Sequence, residues 1–234
     1  MQEAAKRAAA VLRAGGIVLY PTDTLYGLGV DALSDEAVAK IFAVKGRNEG
    51  KPVHALVSDL VMAKQYGEVS DTTRALAERL PRGQVTFVVK KSAQGQSASG
   101  GKEVETGTGI LRGTGTFGFR IPDNAFCIAM LHAFGGPITA TSANRAGEVP
   151  PRSVDAIMAQ LEEHSNVLQN VGTWNIDLIV DAGELPPRKS SSVVEISGDC
   201  VSVLRESAVP RAEIEAVLSA IESVWHGYRA FYTP

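Results

Sequence analysis

Apolar positions along the chain fall into short runs, separated by Gly, Pro and polar clusters, and the runs follow two periods. Residues 4–14 carry a helical, alanine-rich pattern that Gly15-Gly16 stops. Ile17-Val-Leu-Tyr20 is a continuous apolar run closed by Pro21, the signature of a buried strand. Residues 22–29 are polar and glycine-bearing and are expected to form a turn. Ser34 is placed to cap a helix over 35–44, with Val38, Ile41 and Phe42 on its inner face. A strand over 53–57, helices over 60–66 and 72–80, and a β-branched strand over 85–90 follow. The second half predicts a strand at 116–121 and a helix at 124–134 closed by Gly135-Gly-Pro137. After these come a strand at 138–141, a helix capped by Ser153 and running to 163, strands at 178–181, 192–196 and 201–204, and a last helix at 213–224.

Strands and helices alternate, but several strands are adjacent or carry a polar alternation. The expected fold is therefore α/β: a single domain with a twisted, mixed β-sheet flanked by helices, rather than a purely parallel doubly wound sheet. The expected division is a catalytic domain over 1–210, with a C-terminal helix and tail over 211–234. Residues 92–115 break the pattern. They are rich in Gly and Ser, nearly devoid of large apolar residues and too long for a plain connector, so they are expected to form a lid.

Composition narrows the class. The chain has 234 residues, 44% hydrophobic and 21% charged, with a net charge of −3, as in an ordinary soluble globular protein. That balance argues against a surface given over to nucleic acid, although a local basic patch is compatible with it. Two distant cysteines, Cys127 and Cys200, exclude a Cys-x-x-Cys site and are expected to be buried, inert thiols in a reducing cytoplasm. The N-terminus does not read as a secretory signal, and no apolar run is long enough to span a bilayer.

Several motif matches fail their context. Gly113-Thr-Gly115-Thr-Phe-Gly118 fits a dinucleotide fingerprint but leads into a strand rather than from a strand into a helix. Gly46 to Lys51 has the wrong spacing for a Walker loop, and Pro52 stands where Ser or Thr is required. His54, His132, His164 and His226 lack metal-ligand spacing and are expected to be core or surface histidines.

The chemistry concentrates in polar or cationic groups at the ends of elements. The densest is Lys45-Gly-Arg-Asn-Glu-Gly-Lys51-Pro52, with three cations directly after a helix. Gly46 suits a left-handed helix cap, after which Lys45, Arg47 and Lys51 converge on a polyphosphate or form a solvated basic loop. On an extended backbone Ser142 and Asn144 share a side, facing phosphate oxygens or the waters of Mg²⁺, unless the segment is an ordinary Asx turn. Arg120 lies in an apolar strand and needs an anionic partner, either a ligand or a structural carboxylate. Arg205 is ambiguous in the same way, and Thr22 and Thr24 flank Asp23 in what reads as a turn.

Taken together these segments resemble the YrdC/Sua5 family, the threonylcarbamoyl-AMP synthases. The matching motifs are Pro21-Thr-Asp-Thr-Leu-Tyr-Gly-Leu28, Lys45-Gly-Arg47 with Lys51-Pro52, Phe119-Arg-Ile-Pro-Asp123, Thr141-Ser-Ala-Asn144, Ser191-Ser-Val-Val-Glu195 and Val203-Leu-Arg205-Glu206. The resemblance implies a synthesis of threonylcarbamoyl-adenylate and pyrophosphate from L-threonine, bicarbonate and ATP, feeding the t⁶A modification of tRNA. It implies that Lys45, Arg47, Lys51, Thr116, Ser142, Asn144 and Arg205 face ATP, with Lys45 and Arg47 catalytic. It likewise implies that Thr24, Tyr26, Arg120 and Ser191 face threonine. Mg²⁺ would ride on the phosphates, and tRNA or the t⁶A transferase complex is an implied partner. The family's histidine a few residues after Lys-Pro falls where Leu56 stands, so His54 is assigned no threonine contact. Two readings compete: an RNA-binding module, and a paralogue acting on another carbamoyl or adenylate substrate.

Overall fold

A computed structural model describes residues 1–46, 52–92, 108–162, 176–198 and 200–231. The helices are α1 (Gln2–Arg13), α2 (Asp35–Lys45), α3 (Leu60–Lys64), α4 (Asp71–Arg79), α5 (Ala125–Phe134), α6 (Val154–Glu162) and α7 (Arg211–Phe231). The strands are β1 (Val18–Pro21), β2 (Tyr26–Gly29), β3 (Ala55–Leu56), β4 (Val85–Lys90), β5 (Thr116–Arg120), β6 (Ile138–Thr139), β7 (Thr141–Ser142), β8 (Leu178–Ile179), β9 (Ser192–Ser197) and β10 (Cys200–Arg205).

The expected sheet is mixed and flanked by helices, but it is divided in two. One sheet has the order β7-β2-β1-β8 and the other β10-β9-β4-β5-β3-β6. Parallel pairings (β1 with β8, β3 with β5, β4 with β9) alternate with antiparallel ones. The division falls inside the stretch expected to be one strand at 138–141. Leu56 pairs with Ile138 in the larger sheet, whereas Gly27 pairs with Ser142 in the smaller, so the chain changes sheets across Ala140. The Ala140 amide is held in passing by the His54 carbonyl at 2.7 Å.

Residues 26–29, expected as turn, form the buried strand β2. Their glycines mark close packing instead. A Cβ on Gly27 or Gly29 would stand 3.0 Å or 2.7 Å from the ring of Tyr20 on the neighbouring strand. Two apolar clusters result. Ala5, Ala8 and Leu12 of α1 and Phe126, Met130 and Leu131 of α5 pack on Val18, Tyr20, Leu56 and Ile138. The larger cluster joins both sheets, from Leu19 and Leu28 to Phe87 and Phe119, and takes in α2, α6 and α7 through Ile41, Ile157 and Ile214.

The caps expected at Ser34, Gly46 and Gly135 form: Ser34 accepts from the Ala37 amide, and the two glycines end their helices in the left-handed region. Asn124, expected as the first residue of its helix, caps it instead, accepting from the Phe126 and Cys127 amides. Of the expected lid, residues 93–107 lie outside the described residues. The described remainder is pinned to α2, where Asp35 accepts from the Gly109 amide and pairs with Arg112, and Ile110 and Leu111 are buried. Cys127 is buried as expected, but Cys200 is exposed, because β10 is the outer strand of its sheet.

Candidate active site

The two sheets meet at a cleft of about 190 Å³, below the usual range of roughly 300–1,000 Å³ for drug-sized pockets and so suited to a small ligand. Its walls are polar. Among the described lining residues are seven Ser or Thr (Thr22, Thr24, Thr86, Thr141, Ser142, Ser190, Ser191), two guanidiniums (Arg120, Arg205) and His54, and no Asp or Glu.

The turn after β1 supplies one wall. Thr22 Oγ1 accepts from the Thr24 and Leu25 amides at 3.2 and 3.3 Å and donates to the Leu25 carbonyl at 2.7 Å, which fixes the direction of Thr24. Arg120, at the end of β5 and 7% exposed, donates through Nη1 to Thr24 Oγ1 at 2.9 Å and to the Gly83 carbonyl at 3.2 Å. Among the described residues no carboxylate pairs with Arg120. Asp23 is near but turned away. Its Oδ1 accepts from the Asp123 amide at 3.1 Å, its Oδ2 is buried without a partner, and burial raises its carboxyl above the usual range.

The opposite wall comes from β4, the residues leading into β9 and the end of β10. Ser191 Oγ lies 2.8 Å from Thr86 Oγ1, and its carbonyl accepts from Nε and Nη2 of Arg205 at 3.2 and 2.7 Å. Burial, and secondarily the charge of Arg120, lower the Arg205 guanidinium from its ordinary value. A buried guanidinium, Arg120, and an exposed one, Arg205, thus bear on one cavity whose described lining holds no carboxylate, an arrangement that favours an anionic ligand.

The remaining site residues divide by position. Lys45 is buried at the end of α2. Its ammonium donates to the carbonyls of Ser142 (2.5 Å) and Asn144 (2.6 Å) and to Asn144 Oδ1 (3.3 Å). Asn144 Nδ2 donates to the carbonyls of Arg145 and Glu148, both at 2.7 Å, and its Oδ1 also accepts from Ser142 Oγ at 2.5 Å. Lys45, Ser142 and Asn144 therefore meet, and of the three Ser142 lines the cleft while the other two brace it. Tyr26 lines the cleft with its ring face; its hydroxyl lies 2.8 Å from the Gly183 carbonyl and receives the Ala182 amide at 2.8 Å. Thr116 does not join the others. It is exposed at the start of β5, four residues from Arg120, a separation on the order of 13 Å along a strand. Arg47 and Lys51 lie outside the described residues; Pro52, which follows them, lines the cleft.

Sequence reasoning passed over Thr86, Ser190 and, chiefly, His54. The imidazole of His54 lies against the bare backbone of Gly118, where a Cβ would stand 2.4 Å from its Cδ2. A signal was available: positions 54 and 56 share one face of an extended chain, so a histidine displaced by two residues keeps its side.

Residues 10–207 match the Sua5/YciO/YrdC family model, described as telomere recombination. The threonylcarbamoyl-AMP synthase of Mus musculus is 33% identical over 202 residues, which cover 83% of this chain and 63% of that protein. The putative threonylcarbamoyl-AMP synthase of Methanocaldococcus jannaschii is 29% identical over 196 residues, covering 84% of this chain and 82% of that one. Among solved structures, Pyrococcus abyssi Sua5 complexed with L-threonine superposes with a TM-score of 0.75 at 27% identity, covering 93% of this chain and 58% of that chain. The chain thus spans less than two thirds of the mouse relative's length. Over that span, sequence and fold agree, and the chain belongs to the Sua5/YciO/YrdC family.

Proposed function

We propose that this chain is an L-threonylcarbamoyladenylate synthase, a nucleotidyltransferase that converts L-threonine, bicarbonate and ATP to threonylcarbamoyl-AMP and pyrophosphate for t⁶A formation in tRNA. The observation that carries the reading is the buried, carboxylate-free guanidinium of Arg120, beside the hydroxyl of Thr24 and facing a small cavity. A guanidinium so placed is a fork for a carboxylate. An amino acid bound there gains the charge partner that the fold withholds. The relatives named threonylcarbamoyl-AMP synthase, and the threonine in the P. abyssi structure, point to the same substrate.

Thr24, Arg120 and Ser191 are assigned to threonine, with Tyr26 shaping the wall behind it. Ser142 and Arg205 are assigned to the phosphates. Lys45 and Asn144 act by fixing the segment that presents Ser142. Arg47 and Lys51 are assigned to ATP from sequence alone. Once threonine's nitrogen has become a carbamate, a carbamate oxygen attacks the α-phosphorus and pyrophosphate leaves. That displacement asks for alignment and cations rather than a protein nucleophile. The cleft's donors are hydroxyls and guanidiniums, which suit a Mg²⁺ carried by the phosphates and not one held by protein carboxylates. Such an ion would add charge neutralisation at the triphosphate. Among the described residues no helix is long and apolar enough to cross a membrane, and the cytoplasm, which holds ATP and tRNA, is the proposed compartment.

The test is pyrophosphate release from ATP, Mg²⁺ and bicarbonate with each amino acid in turn. Release that depends on threonine is expected. Its absence overturns the reading, and salt-sensitive tRNA binding without turnover would favour the RNA-binding alternative instead.

A further inference from the structure

An α-amine is largely protonated at pH 7, and an ammonium has no lone pair with which to attack bicarbonate. If the cleft forms a carbamate, something must take that proton. The described lining offers few acceptors. Arg120 and Arg205 are cations. The hydroxyl of Tyr20 donates to the Thr139 carbonyl at 3.0 Å, that of Tyr26 is held among residues 181–183, and burial raises both phenols further. Serine and threonine hydroxyls do not ionise in this range, and among the described residues no carboxylate lines the cavity. Among the described lining residues His54 is the side chain whose ordinary pKa, about 6.5, sits where a base must work at neutral pH.

Its position is suitable as well. Gly118 and Arg120 lie two apart on β5 and so face the same side, on the order of 7 Å apart. The missing Cβ of Gly118 is what admits the imidazole, since that atom would stand 3.1 Å from Nε2. A threonine carboxylate clamped by Arg120 leaves its amine, one carbon away, inside the same small cavity that His54 lines. Among the described residues, the charged or titratable groups lining the cavity with His54 are Arg120 and Arg205, Tyr20 and Tyr26.

We propose that His54 is the general base that takes the ammonium proton of threonine before its nitrogen attacks bicarbonate. The inference rests on the synthase reading above. The imidazole accepts one proton and becomes imidazolium. The freed lone pair forms the N–C bond to bicarbonate, the C–OH bond breaks, and hydroxide leaves as water with the second amine proton. The products are the carbamate, water and His54 imidazolium, which returns its proton to solvent.

His54→Gln keeps a planar polar group and removes the base. Threonine- and bicarbonate-dependent pyrophosphate release at pH 7 is expected to fall by about 10²–10⁴-fold. Its pH profile should shift upward, so that rate is recovered only as the amine loses its own proton. The reverse half-reaction, ATP formation from threonylcarbamoyl-AMP and pyrophosphate, reaches ATP before any ammonium proton is handled and should change by less than about threefold. In His54→Ala, added imidazole should restore part of the forward rate. An unchanged forward rate and pH profile in His54→Gln overturns the proposal. So does an equal fall in both directions, which would make His54 a packing residue. If the wild-type protein forms neither pyrophosphate nor ATP in these assays, the synthase reading itself fails and takes the role of His54 with it.

Discussion

Arg120 and Asp23 sit side by side and behave oppositely. Arg120 is a buried cation whose partners among the described residues are a hydroxyl and a carbonyl, and the proposed function gives it a carboxylate. In Arg120→Gln, losing a charge-assisted contact of roughly 1.5–3 kcal/mol should weaken threonine binding about 10- to 150-fold by calorimetry. The thermal midpoint should hold or rise, because an unpaired buried charge has gone. Undiminished threonine affinity would remove Arg120 from the site. Asp23 is the converse, a carboxylate whose Oδ2 is buried without a partner and whose pKa is raised by that burial. A raised folded pKa means that the folded state binds the proton more tightly than the unfolded state. The charged form therefore costs stability, and the cost grows as pH rises from the unfolded carboxylate value, about 3.9, through the folded one. Asp23→Asn, which keeps an oxygen for the Asp123 amide, should melt higher than wild type at pH 7, with the gap closing toward pH 4. A gap independent of pH would show that this carboxylate is not strained.

At the scale of elements, the end of α2 and the turn after β7 form one unit. Gly46 stops the helix with φ 56°, Lys45 spends its ammonium on the Ser142 and Asn144 carbonyls, and the Ala146 amide returns to the Lys45 carbonyl at 3.0 Å. Lys45→Met takes the ammonium donor from both carbonyls and leaves that of Ser142 with the Asn144 amide at 3.0 Å, an expected loss of about 1–3 kcal/mol in denaturant unfolding, with turnover falling alongside. Lost turnover at undiminished stability would mean instead that Lys45 serves the nucleotide directly. The sequence showed this unit only in part. The caps at Ser34, Gly46 and Gly135 were legible because each is a local contract between a side chain or a Cβ-less residue and nearby amides. Strand β2 was hidden, because Gly27 and Gly29 make room for a ring on another strand, a contact that no local pattern encodes. The change of sheet at Ala140 was hidden for the same reason. Among site residues, Arg120 was visible as a charge in an apolar strand. Lys45 was visible as a cation, but its partners lie 97 and 99 positions away. Thr116 lies apart from the cleft, and sequence order does not say which end of a strand faces it.

At the scale of the whole molecule, one apolar cluster joins both sheets to α7. The family match ends at residue 207, and the sequence suggested a catalytic unit over 1–210 with the last helix as an addition. Yet Ile214 and Ile221 on α7 are each 1% exposed and belong to the core cluster that also holds Leu19 and Leu28 of the small sheet and Phe87 and Phe119 of the large one. The cleft lies between those two sheets, so whatever holds them together holds Thr24 against Arg120 and Ser142 opposite Ser191. Burying two isoleucines is worth about 3–6 kcal/mol, at roughly 1.5–3 kcal/mol each, against a total of about 5–15 kcal/mol for a whole domain. Ending the chain at Pro210 should therefore lower the melting midpoint by roughly 6–24 °C, at about 2–4 °C per kcal/mol for a chain of this size. The transition should broaden, and threonine binding should be lost with it, because the Thr24–Arg120 contact spans both sheets. Circular dichroism melts of the shortened and full chains, with and without threonine, decide the matter. An unchanged midpoint would show that the 1–210 portion folds alone and that α7 merely rests on it.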